Sequence, residues 1–205
     1  MRGTRVINTI KQHKTAIVFT IIGLIAGPIV GAMLVDYISI TPNRLVKHLE
    51  NGEVSQFNNE RKQLKQHIVF EGIDLSNKDL NGVNLQSLII LHSNLTNTNL
   101  ENSILDDVQI SGDLADINLR NTSLFNAYLT DTSFSNADLT DAFLGDADLT
   151  NADLRSSNLT NANLNLANLR DSLFDCNSLN TTSFTINATQ VHIVDSNLKE
   201  VSNCQ

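Results

Sequence analysis

The chain has 205 residues, a formal net charge of −8, 28 Leu, 27 Asn, two Cys, two Pro and no Trp. That length holds one domain and an appendage and excludes a large multidomain enzyme. Few aromatics and 18% charged residues exclude a basic nucleic-acid-binding module, and two cysteines make neither a disulfide-dense scaffold nor a four-Cys zinc site.

Residues 1–14 form a basic tail, and residues 15–35, TAIVFTIIGLIAGPIVGAMLV, hold no ionisable side chain. As a helix this stretch spans ~31 Å, which matches the hydrocarbon core of a bilayer and predicts an N-terminal transmembrane helix. Val30, Gly31 and Ala32 also offer a small-residue cleavage site, which would make the body secreted or periplasmic; the full length of the stretch fits an uncleaved anchor better. Arg2, Arg5, Lys11 and Lys14 precede it, against Arg44 and Lys47 just after, so the N-terminus is expected in the cytosol and the body on the opposite side. Gly23, Gly27 and Gly31 make a small-residue ridge suited to helix pairing in a homodimer, although Pro28 interrupts it.

Residues 36–70 read as a linker with short helices. Leu45, Val46 and Leu49 fall on helical spacing. Ser55 is the expected N-cap of a second, amphipathic helix that puts Val54, Phe57, Arg61 and Leu64 on one side. Net charge is +4 over residues 1–50, +1 over 51–70 and −13 over 71–205, so an acidic body follows a basic, apolar anchor.

From Leu75 an apolar residue recurs every fifth position to Ile110. After the loss of one residue the series resumes at Leu114 and runs to Phe184, giving 23 repeats with 18 Leu, 2 Ile and 3 Phe. On an α-helix five steps advance by ~140° and leave no stripe, and in a continuous strand an odd period sends successive leucines to opposite faces. A chain that turns a corner in every repeat and points each Leu at one axis satisfies the period, which is a coil of short parallel strands. Ala127, Ala137, Ala142, Ala147, Ala152, Ala162 and Ala167, two residues before the apolar position, suit an inward corner. Asp or Asn stands immediately before it 13 times in 23, and Thr, Ser, Asn and Asp follow, as turn formers facing water.

The run DLTDAFLGDADLTNADLRSSNLTNANLNLANL resembles the pentapeptide-repeat family, whose pattern is A(D/N)LXX, over residues 73–184. The resemblance implies an all-β fold, a right-handed quadrilateral parallel β-helix with four repeats per coil, here over residues 71–184. Just under six coils would stand ~28 Å tall at ~4.8 Å per layer. Lys78 is expected at an inward corner near the open end, the residue missing after Ile110 should distort one corner, and residues 185–205 should form an irregular final coil and cap.

With four repeats per coil, positions twenty apart stack. One face then points Ile104, Phe125 and Phe143 outward and its neighbour Ile89, Leu91 and Tyr128. The lead-in helix is one candidate to cover Ile89 and Leu91, whereas Phe125, Tyr128 and Phe143, with Ile104, are the candidate surface for an unidentified protein partner. No catalytic group, cofactor, metal or nucleic-acid partner is expected, because His13, His48, His67, His92 and His192 are scattered and no phosphate-binding loop is present. Cys176 is expected to face outward, and Cys176 and Cys204 are expected as two free thiols, a disulfide being the alternative for an exported body.

These features predict a membrane-anchored, non-catalytic scaffold or protein-interaction module. The alternative, implied by the family, is an acidic DNA mimic acting on a type II topoisomerase from the cytosolic side, with Asp138, Asp141, Asp146, Asp148 and Asp153 standing in for phosphates.

Overall fold

The structure is a computed structural model that describes residues 43–64, 68–176, 178 and 192–193. The basic tail, the expected anchor at 15–35 with Gly23, Gly27 and Gly31, and most of 185–205 lie outside the described residues. Among the described residues no helix is long and apolar enough to cross a membrane. The description below concerns the compact unit Pro42–Gln205 alone.

Parallel bridges join each repeat to the one twenty residues on. Asp74 pairs with Asn94, Asp79 with Asn99 and Asn84 with Ile104, so each coil holds four pentapeptides. Leu75 through Leu164 are all buried in one continuous core, with Leu169 partly buried and Phe174 fully so. The small residues two positions earlier fill the corners: Ala127, Ala137, Ala142, Ala147, Ala152 and Ala162 are buried. Where that position is Thr98, Ser103 or Thr122, the hydroxyl donates to the backbone carbonyl of Leu75, Leu80 or Leu100, so no polar group is stranded there.

Each corner is a turn closed by a bond such as Lys78 N–H to the Leu75 carbonyl at 3.2 Å. Its third residue is left-handed. Of the eighteen non-glycine residues at positive φ, fourteen are Asn or Asp, the side chains that tolerate this region best. The Asx residue before each Leu has a separate role. All thirteen accept a hydrogen bond from the backbone N–H two residues on, as Asp74 does from Ser76 at 3.0 Å and Asn163 from Asn165 at 3.0 Å. Two different demands, a left-handed corner and an unpaired N–H, therefore both select Asn and Asp.

The lost residue is absorbed at Ser111–Gly112. The ladder steps by twenty from Asp79 to Asn99, by nineteen from Asn99 to Asn118, and by twenty again to Asp138. Strands β1 (Val69–Glu71), β2 (Ile89–Asn94) and β3 (Gln109–Asp113) form a three-stranded parallel sheet here, with a register shift between Ile90 and Ser93. Gly112 adopts φ +146° and passes so close to β2 that a Cβ would lie 2.1 Å from the Ser93 carbonyl oxygen.

Two short helices close the first coil. Helix α1 (Asn43–Glu50) buries Leu45 and Leu49, and α2 (Val54–Arg61) buries Phe57, with Val54 and Leu64 partly buried against the core. Residue Ser55 is not the N-cap expected of it: the cap position is Glu53, with no side-chain capping bond, and Ser55 lies inside the helix. Asn58 accepts from Asn84 N–H at 2.8 Å and donates to the Gly82 carbonyl at 3.0 Å, while Arg61 donates to the Gln86 carbonyl at 2.7 Å. The helix thus supplies the exposed backbone of the first coil with partners that a preceding coil would otherwise provide. Lys78 is half-buried in that coil. At the other end β4 (Leu173–Phe174) pairs in parallel with β5 (His192–Ile193), one layer further on.

Candidate interaction surface

Among the described residues the exposed large apolar side chains are Ile104, Phe125, Tyr128, Phe143 and Leu166. All five flank one corner of the coil. Ile104, Ser123, Phe143 and Asn163 form one column of bridges, and Gln109, Tyr128, Asp148 and Asn168 form the column on the next face. Between the two columns lie Phe125 and the left-handed positions Asp107, Asn126, Asp146 and Leu166. The structure therefore brings Ile104, Phe125, Tyr128 and Phe143 to one edge and adds Leu166, 85% exposed, which falls outside the five-residue series. Of the other outward candidates, Leu91 is buried and Ile89 half-buried, so neither belongs to this exposed strip.

The edge departs from the commonest local pattern. Ile104, Tyr128 and Phe143 occupy the position from which Asp or Asn normally caps the turn, so that bond is forgone three times. Ser123 stands at the same position one coil along, and the Phe125 N–H two residues after it is met by Asp106, one coil below, at 3.1 Å. Phe125 and Phe143 stack, with ring centroids 5.9 Å apart and planes 18° apart. Gly145 makes this possible, since a Cβ there would meet the Phe143 ring at 3.0 Å and the Phe125 ring at 3.5 Å. Nothing in the five-residue pattern singled out Gly145; its clue is the lack of a side chain between two phenylalanines in stacked coils.

The acidic groups divide into two kinds. Burial pushes the Asp138 carboxyl up, but bonds from Thr140 and the Arg120 guanidinium outweigh it and hold the group below its ordinary value. The same contest at Asp153 is won by Arg155. Asp107, Asp131 and Asp141 each accept from an asparagine one coil above, Asn126, Asn151 and Asn161, at 2.8, 2.9 and 3.1 Å. Asp148 accepts from Thr150 and Asn168. Above Asp146 stands Leu166 in place of an asparagine, and among the described residues no hydrogen bond or ion pair reaches the Asp146 carboxylate.

His48, in α1, has two carboxylate neighbours. Its Nδ1 lies 2.5 Å from Glu53, and its Nε2 lies 3.4 Å from Glu60 without hydrogen-bond alignment. The His48 contact, followed by Asn51, holds the Glu53 carboxyl below its usual value. These groups join α1 to α2. Among the described residues no group of three or more His, Cys, Asp or Glu could hold a metal ion. Cys176 is half-buried and disulfide-bonded, and among the described residues no cysteine is free, which overturns the expectation of a free thiol at Cys176.

Stacked pentapeptide coils with a buried leucine axis and Asx-capped corners define a class of architecture, a repeat β-helix in which each coil packs on its neighbours. The family model "Pentapeptide repeats (8 copies)" matches residues 66–102, 103–146 and 132–171. The chain belongs to the pentapeptide-repeat family. Among solved structures it is similar to Rfr23 from the cyanobacterium Cyanothece 51142, at 27% identity over 60% of this chain and 97% of that one, with a TM-score of 0.46. A pentapeptide repeat protein from Nostoc PCC 7120, alr5209, is 29% identical over 58% of this chain and 84% of its own, with a TM-score of 0.38. A trypsin-treated variant of QnrB1, a plasmid-mediated fluoroquinolone resistance protein, is 14% identical over 64% of each chain with a TM-score of 0.57, a likeness of fold. No curated protein matches the chain.

Proposed function

We propose that this protein is a membrane-anchored, non-catalytic scaffold whose repeat rod holds a protein partner along the Ile104–Phe125–Tyr128–Phe143 edge. One observation carries the reading: every exposed large apolar side chain among the described residues lies on that corner. Leaving such groups in water is unfavourable, and forgoing three turn caps to do so is a local cost with no gain inside the fold. The apolar stretch 15–35 and its basic flank support the anchor and the placement of the rod across the membrane. The disulfide at Cys176 favours the same side, because such bonds persist in oxidising compartments.

The acidic DNA-mimic reading is less favoured. Of its five carboxylates, Asp138 and Asp153 are ion-paired with Arg120 and Arg155, and Asp141 and Asp148 accept from side chains of the next coil. A row of phosphates offers its charges unpaired.

The test is a photo-reactive phenylalanine analogue at position 125 or 143 of the full-length protein in cells. A cross-linked product lost on introducing Phe125→Asp or Phe143→Asp at the remaining ring, with unchanged thermal unfolding, is the expected result. Cross-linking only from control positions on the Leu95–Leu114–Leu154 face would reject this edge. Deletion of residues 15–35 should release the protein from the membrane fraction.

A further inference from the structure

We infer that the segment received by this edge is cationic as well as apolar: an arginine-bearing stretch whose guanidinium pairs with Asp146 and lies against the Phe143 ring. The inference rests on the reading of the edge as a partner site and specifies the partner's chemistry.

Charge complementarity carries it. Asp106, Asp107, Asp146 and Asp148 flank the five apolar side chains, and no Lys or Arg stands in either column or at the corner between them. Three of these carboxylates are held by partners inside the protein: Asp106 by Ser123 and Phe125, Asp107 by Asn126, Asp148 by Thr150 and Asn168. Asp146 differs. At three other corners an aspartate is met by an asparagine one coil above, whereas here Leu166 takes that place, at φ 64°. A leucine in the left-handed region is strained, and one fully in water gains nothing from burial. The substitution removes the internal donor from Asp146 and sets an aliphatic side chain beside it.

An exposed carboxylate next to a stacked aromatic pair is complementary to a guanidinium, which can bond the carboxylate and stack on a ring face at once. A second copy of the chain is a poor occupant, since it would bring the same acidic edge, from a body of net charge −13, against this one. A neutral apolar segment would leave Asp146 desolvated without a partner.

The probe is one peptide in three versions, acetyl-Gly-Leu-Xaa-Phe-Xaa-Leu-Gly-amide with Xaa as Arg, Gln or Glu, titrated onto the full-length protein in detergent micelles. The Arg version is expected to bind, the Gln version at least about tenfold more weakly and the Glu version not at all. Asp146→Asn should weaken the Arg version by about tenfold and leave the Gln version unchanged. Leu166→Asn separates recognition from folding: it restores an amide donor above Asp146 and relieves the backbone strain, so Tm should rise while Arg-peptide binding falls. Equal binding of the Arg and Gln versions, binding indifferent to both substitutions, or no binding by any version overturns the inference. In each of those cases continued cross-linking from position 125 or 143 to another protein in cells keeps the edge as a partner site. Cross-linking to a second copy of the chain overturns the inference in favour of self-association, and loss of all cross-linking removes the edge itself.

Discussion

The side-chain oxygen of Asn58 accepts the backbone N–H of Asn84 at 2.8 Å across 26 positions of sequence, while its nitrogen reaches the Gly82 carbonyl at 3.0 Å. For the Asn84 N–H this side chain does what an earlier coil's carbonyl would do, and its amide nitrogen adds a bond to the same coil. Asn58→Ala leaves a donor and an acceptor of that coil without these partners, at a cost of about 1–3 kcal/mol. Asn58→Asp keeps only the acceptor and should cost less. Urea unfolding followed by circular dichroism checks the order, and an alanine variant as stable as the parent would show that water satisfies the coil edge equally well.

Gly112 and Gly82 separate two reasons for glycine. At Gly82, φ is +73° and no atom lies within 4 Å of an added Cβ, so Gly82→Asn keeps a left-handed corner and should change stability by less than about 1 kcal/mol. At Gly112 an added Cβ would meet the Ser93 carbonyl oxygen at 2.1 Å, backbone that cannot move without breaking the β2–β3 pairing. Gly112→Ala should therefore cost more than about 3 kcal/mol. A mild effect at Gly112 would mean that the coils can absorb the lost residue elsewhere.

Most of the fold is legible in the sequence because one interaction repeats. Each Leu of the series solves the same burial problem, and a period of five excludes a helical stripe and a one-sided strand before any coordinate is known. Much of what escaped depends on a neighbour nineteen or twenty residues away. Gly145 matters through Phe125, Leu166 through Asp146, and Gly112 through Ser93, and none of these pairs is visible in a window of five. The Asn and Asp content was read as turn chemistry, yet its division into a capping position before Leu and a left-handed position after it needed backbone angles. Ser55 misled because a serine at the start of an amphipathic pattern is a sound capping signal, while packing of Phe57 and Val54 set the helix start two residues earlier, with Glu53 at the cap position. The edge residues were legible since outward phenylalanines in a repeat of polar corners stand out by chemistry alone.

Asp153 gives a test of charge within the coils. Burial alone would raise its carboxyl, but the Arg155 bonds hold it below the ordinary 3.8, so the folded state binds fewer protons than the unfolded one in acid. Its stabilising share is present above that value and is lost as pH falls through the folded value. Repulsion among the other carboxylates relaxes over the same range and acts in the opposite direction, so wild type alone is ambiguous. Comparison with Arg155→Gln isolates the pair: the variant should be less stable than wild type at pH 6, with the gap closing near pH 2. A gap that persists at low pH would assign Arg155 a packing role through its aliphatic stem.

Cys176 bears on where the rod resides. It is disulfide-bonded in a chain whose other cysteine is Cys204. Closing a loop of that length stabilises by about 3 kcal/mol where the bond fits without strain. In the cytosol glutathione and thioredoxin would keep both thiols reduced, and beyond the membrane the bond persists. Cells are quenched in acid, free thiols are blocked with one maleimide, and disulfides are then reduced and labelled with a heavier one. The heavier label at both positions is expected, and Cys176→Ser should lower Tm. Full blocking by the first reagent would place the acidic rod in a reducing compartment and remove the disulfide's support for the far side of the membrane. Because the reagents read the bond and not the membrane, the outcome also separates the location of the rod from the question of whether residues 15–35 remain attached.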